Sequence, residues 1–291
     1  MELKVIAYAR NGHTDKFGIP RQSREDSPIL TRIVFEPEYN VPEALRGIEG
    51  YSHLWIIWGF SAARPASPER PGTEPGDCKT ANAVRPQAEP AVGQSWSPTV
   101  RPPRLGGNKR MGVFATRSPF RPNPIGLSSV RLIAVRLNDK LRITNDERQI
   151  TNDELRITRD GRMELIVSGA DVLDGTPIYD IKPYLSFSDS HPDAKNGFAE
   201  ETKDYHLEVR FEEFLIGNNQ YEISTKPVHN TDKVEIFPKE VLEDITYILR
   251  QDPRPAYQDD PEREYKMDYA GFTITFVVKD TTVIVKKIEK I

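Results

Sequence analysis

A chain of 291 residues is long enough for one large domain or two ordinary ones, and its formal net charge of −4 excludes a protein coated in positive charge. It has no run of 18 apolar residues, which excludes a membrane-spanning helix. Its one cysteine, Cys78, excludes an internal disulfide and any multi-cysteine zinc site.

The opening residues alternate, Leu3, Val5, Ala7 and Ala9 against Lys4, Ile6, Tyr8 and Arg10, which predicts a strand that Asn11-Gly12 ends. No basic-then-apolar leader comes first, so the expectation is a cytoplasmic protein. A turn-rich loop over 17–22 carries Pro20, Arg21 and Gln22, and 29–35 reads as a second strand. Residues 41–47, with Pro near the start and Gly at the end, predict a short helix. YSHLWIIWGF (51–60) is the most apolar run, expected as a buried central strand with His53 as a hydrogen-bonded core residue.

At Ser61 the composition changes. Nine prolines fall between Ser61 and Pro103, with little that can be buried, so 62–95 is expected to be an extended or mobile loop. Residues 101–121 then hold six basic side chains and no acidic one. Lys109 and Arg110 follow a Gly-Gly pair, and three prolines in RSPFRPNP fix the spacing of Arg117, Arg121 and Asn123. Such bracing suits an anion-facing surface held by a sheet. Strands are expected at 111–116 and 127–137, flanking the loop. The repeated ITND and LRIT of 139–160 read as an expanded surface hairpin or loop. Residues 161–170 resume the sheet, and 171–184 combine an Asp174-Gly175 turn with a further strand.

These segments predict a mainly β, barrel-like first domain over 1–190. A polar linker at 189–196 leads to a small α+β domain over 198–291, with a strand at 205–215, a helix at 237–249 and a terminal hairpin at 272–278 and 283–288. QDPRPAY stops that helix and holds Arg254 between prolines. Phosphate-loop, GxGxxG, HExxH and nucleophile-elbow patterns are missing, and the five histidines lack metal-ligand spacing, so no metal is expected.

VRPPRLGGNKRMGVFATRSPFRPNPIGLSSVRL, ADVLDGTPIYDIKPYLSFSDS and QDPRPAY, with the PRQ triplet at 20–22 and the YSHLW strand, resemble the TrmO (YaeB or TsaA-like) family of tRNA methyltransferases. That resemblance implies S-adenosylmethionine as cofactor and methylation at N6 of the threonylcarbamoyl-adenosine beside the anticodon. It also implies a cofactor-binding β-barrel of the TsaA/YaeB type, a small C-terminal domain and a homodimer. Carried over, the cofactor site is lined by Pro20, Arg21, Gln22, Phe60, Ser61, Arg117, Leu127, Leu173, Asp174, Gly175 and Thr176. Ser61 departs from the histidine that members commonly carry there. Lys109, Arg110, Arg121 and Arg254 are the expected contacts to tRNA phosphates, and Asp180, Tyr184 and Asp189 the candidate proton acceptors. Two rivals stand beside this reading: a non-catalytic RNA- or nucleotide-binding protein retaining the barrel, and a methyltransferase of small molecules.

Overall fold

The computed structural model describes residues 2–60, 96–102, 109–137, 140–143, 162–212, 222–224, 234–236, 238–254 and 260–291. The first strands are β1 (Ala7–Arg10), β2 (Leu30–Phe35) and β3 (His53–Gly59). A small hairpin, β4 (Thr99–Val100) with β5 (Met111–Gly112), precedes β6 (Ile125–Leu137), β7 (Lys140–Ile143), β8 (Glu164–Ser168) and β9 (Pro177–Pro183). Strands β3, β9, β1, β2, β8 and β6 pair antiparallel in that order, and β6 returns to β3, closing a six-stranded barrel. Closure leaves those strands without an exposed edge.

Alternation decides which side chains fill the barrel. Leu54, Ile56 and Trp58 point inward from β3, meeting Val130 and Leu132 of β6, Ile33 of β2 and Leu165 and Val167 of β8. Each such burial contributes roughly 1.5–3 kcal/mol. Strand β8 is covered on both faces, since Ile166 packs on Ile133 and Ala134 in a separate cluster. Buried Glu164 is held there between Arg32 (3.3 Å) and Arg136 (3.5 Å).

The register puts three long connections on one rim. Arg10 pairs with Arg32, Tyr8 with Pro177, Leu30 with Ser168 and Gly59 with Ile125. The segments 11–29, 60–124 and 169–176 therefore all leave the barrel at the same end. The candidate residues from Pro20 to Gln22, Phe60, Arg117 and Leu173 to Thr176 belong to these connections, and Leu127 stands at the entrance of β6.

A four-residue helix α1 (Ser186–Asp189) follows the barrel. The C-terminal part holds β10 (Glu208–Phe211), the pair β11 (Glu222–Ser224) and β12 (Val234–Ile236), helix α2 (Lys239–Arg250), β13 (Tyr265–Tyr269), β14 (Phe272–Lys279) and β15 (Thr282–Lys290). Its sheet runs β10-β15-β14-β13, with β10 parallel to β15. Ile245, Ile248 and Leu249 of α2 pack on it. This second core also takes Ile29 and, at its edge, Phe17 from the 11–29 connection. Gly12 allows that approach, since a Cβ there would meet the Tyr269 ring at 2.7 Å. No described helix is long and apolar enough to cross a membrane.

Two differences from the sequence reading matter. The strand expected over 111–116 stops at Gly112 and becomes a 3-10 turn, Val113–Ala115. The Val113 and Thr116 carbonyls, which a strand would offer to a neighbour, accept from the Arg121 guanidinium instead. Strand β13, whose inward Tyr265, Met267 and Tyr269 alternate with Lys266 and Asp268, was absent from the expected elements. The expected loop at 62–95 lies outside the described residues, as does the 139–160 repeat apart from Lys140–Ile143.

Candidate functional site

The Arg117 guanidinium donates to Gln22 Oε1 at 2.7 Å, tying the Pro/Arg loop to the 11–29 connection. Arg121 braces that loop from within, its Nη1 donating to the carbonyls of Val113 (3.1 Å) and Thr116 (2.6 Å). Phe60 closes the end of β3, its N–H on the Pro124 carbonyl and its ring edge-on to Trp58 at 4.5 Å. Leu127 lies opposite Ile57 in the β3–β6 register and is 52% exposed.

Between these groups lies a chain of hydrogen bonds that the sequence did not disclose. Trp58 Nε1 donates to Ser128 Oγ at 2.9 Å, and Ser128 Oγ donates to the Asp171 carboxylate. The Ser23 backbone also hydrogen-bonds that carboxylate, next to Gln22. Burial raises the Asp171 pKa, while the hydrogen bonds and the Arg117 charge oppose the rise. Asp171 is thus an oriented, comparatively basic carboxylate among the candidate residues. Its partners stand far away in sequence, so only the ADVLDGTP segment drew attention to it.

The Asp174-Gly175 turn sits beside this group. Gly175, at φ +78°, donates its N–H to the Ala9 carbonyl, and buried Thr176 accepts from Ala9 N–H. Asp174 accepts from Asn11 N–H and stands 3.5 Å from Arg10. Arg10, Asn11, Leu30, Arg32, Ile166 and Asp174 line an open cleft of about 360 Å³. The segment 171–176 therefore joins two adjacent places: the Gln22–Arg117–Asp171 group and the Asp174 cleft. Leu173 is half-buried, its carbonyl taken by Thr176 N–H.

Pro20 is buried, and Arg21 Nη2 donates to the Arg254 carbonyl at 2.7 Å, so the start of this loop is held by the C-terminal part. Arg254 itself is buried. Its guanidinium grips Asp252 (2.9 and 3.2 Å), which also accepts from Tyr205, so its charge is turned onto a neighbour rather than toward solvent. Lys109 and Arg110 are exposed, the latter fixed by Thr99 Oγ1 at 2.8 Å. Ser61 lies outside the described residues.

Of the three candidate proton acceptors, Asp180 stands in the same cross-strand row as Leu127, on the other side of Ile57, whereas Tyr184 and Asp189 lie toward the other end of β3. Asp180 is mid-strand in β9, opposite Ile57 and paired with Lys182 at 2.8 Å. Tyr184 packs against Trp55 and His53, at the other end of β3. Asp189 accepts from Leu185 N–H and Trp55 Nε1, and those two bonds hold its pKa down. No cluster of three metal-ligating side chains occurs among the described residues.

The family model for the tRNA-methyltransferase O N-terminal domain matches residues 8–190, and that for the TrmO C-terminal domain matches 223–291. An Escherichia coli (strain K12) protein named tRNA (adenine(37)-N6)-methyltransferase is 32% identical over 286 residues, covering 96% of this chain and 94% of its own. A protein of the same name from Eikenella corrodens is 41% identical over 188 residues, 65% of this chain and 84% of its own. The solved structure of a TrmO from Pseudomonas aeruginosa superposes with a TM-score of 0.60 at 25% identity, covering 100% of this chain and 97% of that one.

Proposed function

The chain belongs to the tRNA-methyltransferase O family, and from that premise we propose that it methylates N6 of the adenosine at position 37 of tRNA, using S-adenosylmethionine. The adenosine proposed as substrate carries a threonylcarbamoyl group. The observation that carries this reading is the Arg117–Gln22 bond beside the Trp58–Ser128–Asp171 chain at one barrel rim, next to an acid-free basic loop and with exposed Leu127 on the outer face of β6 near that rim.

The residues fit such a cofactor. A guanidinium at Arg117 suits its carboxylate, Asp174 suits its ammonium or ribose hydroxyls, and exposed Leu127 with Phe60 suits its adenine. Pro20, Arg21, Gln22, Ser61, Leu173, Gly175 and Thr176 complete the proposed lining. When bound, S-adenosylmethionine supplies an electrophilic methyl and leaves as a neutral thioether. The protein's own task is to hold the N6 nitrogen in line with that methyl and to take the N6 proton as the N–C bond forms. Asp171, oriented by Ser128 and made more basic by burial, suits proton removal. Asp180, Tyr184 and Asp189 are retained as candidates for the same task, Asp189 being the weaker base because its pKa is held down.

Lys109, Arg110 and Arg121 serve tRNA phosphates in this reading, so tRNA binding should weaken steeply with salt. Arg254 was carried over with them, although its pairing with Asp252 favours a bracing role. The working unit is proposed to be a homodimer in the cytoplasm, where tRNA is found; a molecular mass of one chain by light scattering would overturn the dimer.

The experiment is methyl transfer from labelled S-adenosylmethionine to tRNA with and without the threonylcarbamoyl group. Transfer only to the modified tRNA is expected. Binding of tRNA with neither cofactor binding nor transfer would point to a non-catalytic RNA-binding protein, and transfer without RNA to a small-molecule enzyme.

A further inference from the structure

Two large aromatic side chains on the Pro/Arg loop remain outside the proposed cofactor lining. Phe114 is 71% exposed and Trp96 48% exposed, yet their rings stack on each other, centroids 6.3 Å apart and planes 23° apart. Adjoining exposed aromatic rings offer a contiguous apolar surface of the kind that contact sites use. Here it is held in place. Val113 N–H donates to the Pro98 carbonyl and Ser97 N–H to the Phe120 carbonyl, locking the two segments side by side. The Arg121 guanidinium lies over the Phe114 ring at 5.6 Å, fixed by its bonds to the Val113 and Thr116 carbonyls.

The charge around the rings narrows the occupant. No acidic residue occurs between Trp96 and Arg131, while Arg101, Lys109, Arg110, Arg117 and Arg121 all fall there. A protein-docking patch of two aromatics has no need of so one-sided a field. A ligand with planar rings and a negative backbone matches both features, and single-stranded nucleic acid has them. Phe114 is also three residues from Arg117, so the rings share a loop with the proposed methyl-donor contact.

We propose that Trp96 and Phe114 form a stacking platform for unpaired nucleobases of the anticodon loop beside the target adenosine, with the surrounding cations taking their phosphates. This rests on the reading of the chain as a tRNA methyltransferase and deepens it. The platform selects splayed single strands, since a base within a duplex has no face to offer.

The test is a fluorescence-anisotropy titration with an anticodon stem-loop carrying threonylcarbamoyl-adenosine and with a blunt RNA duplex, over a salt series. Phe114→Ala and Trp96→Ala should each weaken stem-loop binding roughly ten- to hundredfold and leave duplex binding and S-adenosylmethionine binding unchanged. The slope of log affinity against log salt should stay as in the wild type, whereas Arg110→Ala should reduce it by about one. Phe114→Trp should restore affinity. Equal stem-loop affinity of the wild type and both alanine variants would overturn the platform, even with methyl transfer intact. A Phe114→Ala change that dissociates a dimer without altering RNA affinity would overturn it too, making the patch a contact between copies. A wild-type protein that binds no stem-loop and transfers no methyl would end the platform and the functional reading together.

Discussion

Asp171 is a carboxylate whose surroundings work against its ionisation while fixing its direction. Burial raises its pKa, and the Ser128 hydroxyl, itself held by Trp58, keeps one oxygen engaged. A general base must be ionised to act, so transfer should slow as pH falls through this raised pKa, above the usual aspartate value of about 3.9. Asp171→Asn should lower the single-turnover rate about a hundredfold and erase the acidic limb of its pH profile, with cofactor affinity nearly unchanged. An acidic limb that persists in the variant would assign the limb to another group. At this scale the sequence was legible where chemistry is local: proline bracing and an acid-free run pointed to Arg117 and Arg121. It was opaque where the partner is remote, because nothing near Asp171 in the chain announces a serine 43 residues earlier.

That serine is positioned by pairing of β3 with β6, and the pairing depends on a glycine. Trp58 lies opposite Gly126, and a Cβ on Gly126 would stand 2.2 Å from the indole Cε2. Gly126→Ala must therefore push the ring aside, loosening the Trp58–Ser128–Asp171 chain from its far end. A loss of roughly 1–3 kcal/mol by urea denaturation is expected, together with slower methyl transfer. Combining it with Trp58→Phe should cost less than the sum of the single changes, since the smaller ring leaves room for the methyl. Full additivity would mean that the two positions do not collide. Strand β1 could be read from alternation and β3 from the length and aromatic content of its apolar run, which depend only on what is buried. The turn at Val113–Ala115 could not, because the arginine that captures its carbonyls follows it and competes with strand pairing.

On the scale of the molecule, the rim connection 11–29 ties the barrel to the second core. Phe17 and Ile29 enter the second cluster, Arg21 reaches the Arg254 carbonyl, and Ala270 N–H donates to the Gly12 carbonyl. The helix and terminal hairpin of the C-terminal part were readable from their own periodicity, but the shape of this junction was not, since it depends on which loop of the barrel they cover. His13 sits at its centre, 1% exposed, with its ring edge-on to Tyr269 at 5.2 Å. Among the described residues neither imidazole nitrogen has a hydrogen-bond partner, and desolvation lowers its pKa to about 4. The unfolded chain protonates His13 near pH 6.5, whereas the folded chain resists until about pH 4. Between those values the unfolded state binds more protons, so stability must fall as pH drops from 6.5 toward 4, and the penalty is then constant below. The full penalty is about 3 kcal/mol. His13→Phe keeps a ring against Tyr269 and cannot be protonated. Urea denaturation at pH 7.5 and pH 4.5 should therefore show the variant losing less stability on acidification than the wild type, by a substantial part of that penalty. The comparison cancels the opposite contribution of Asp171, whose raised pKa makes its ionisation destabilising as pH rises. Equal losses in the two proteins would show that the His13 ring finds a proton-accepting partner or water when acid is added. The junction would then be no sensor of pH.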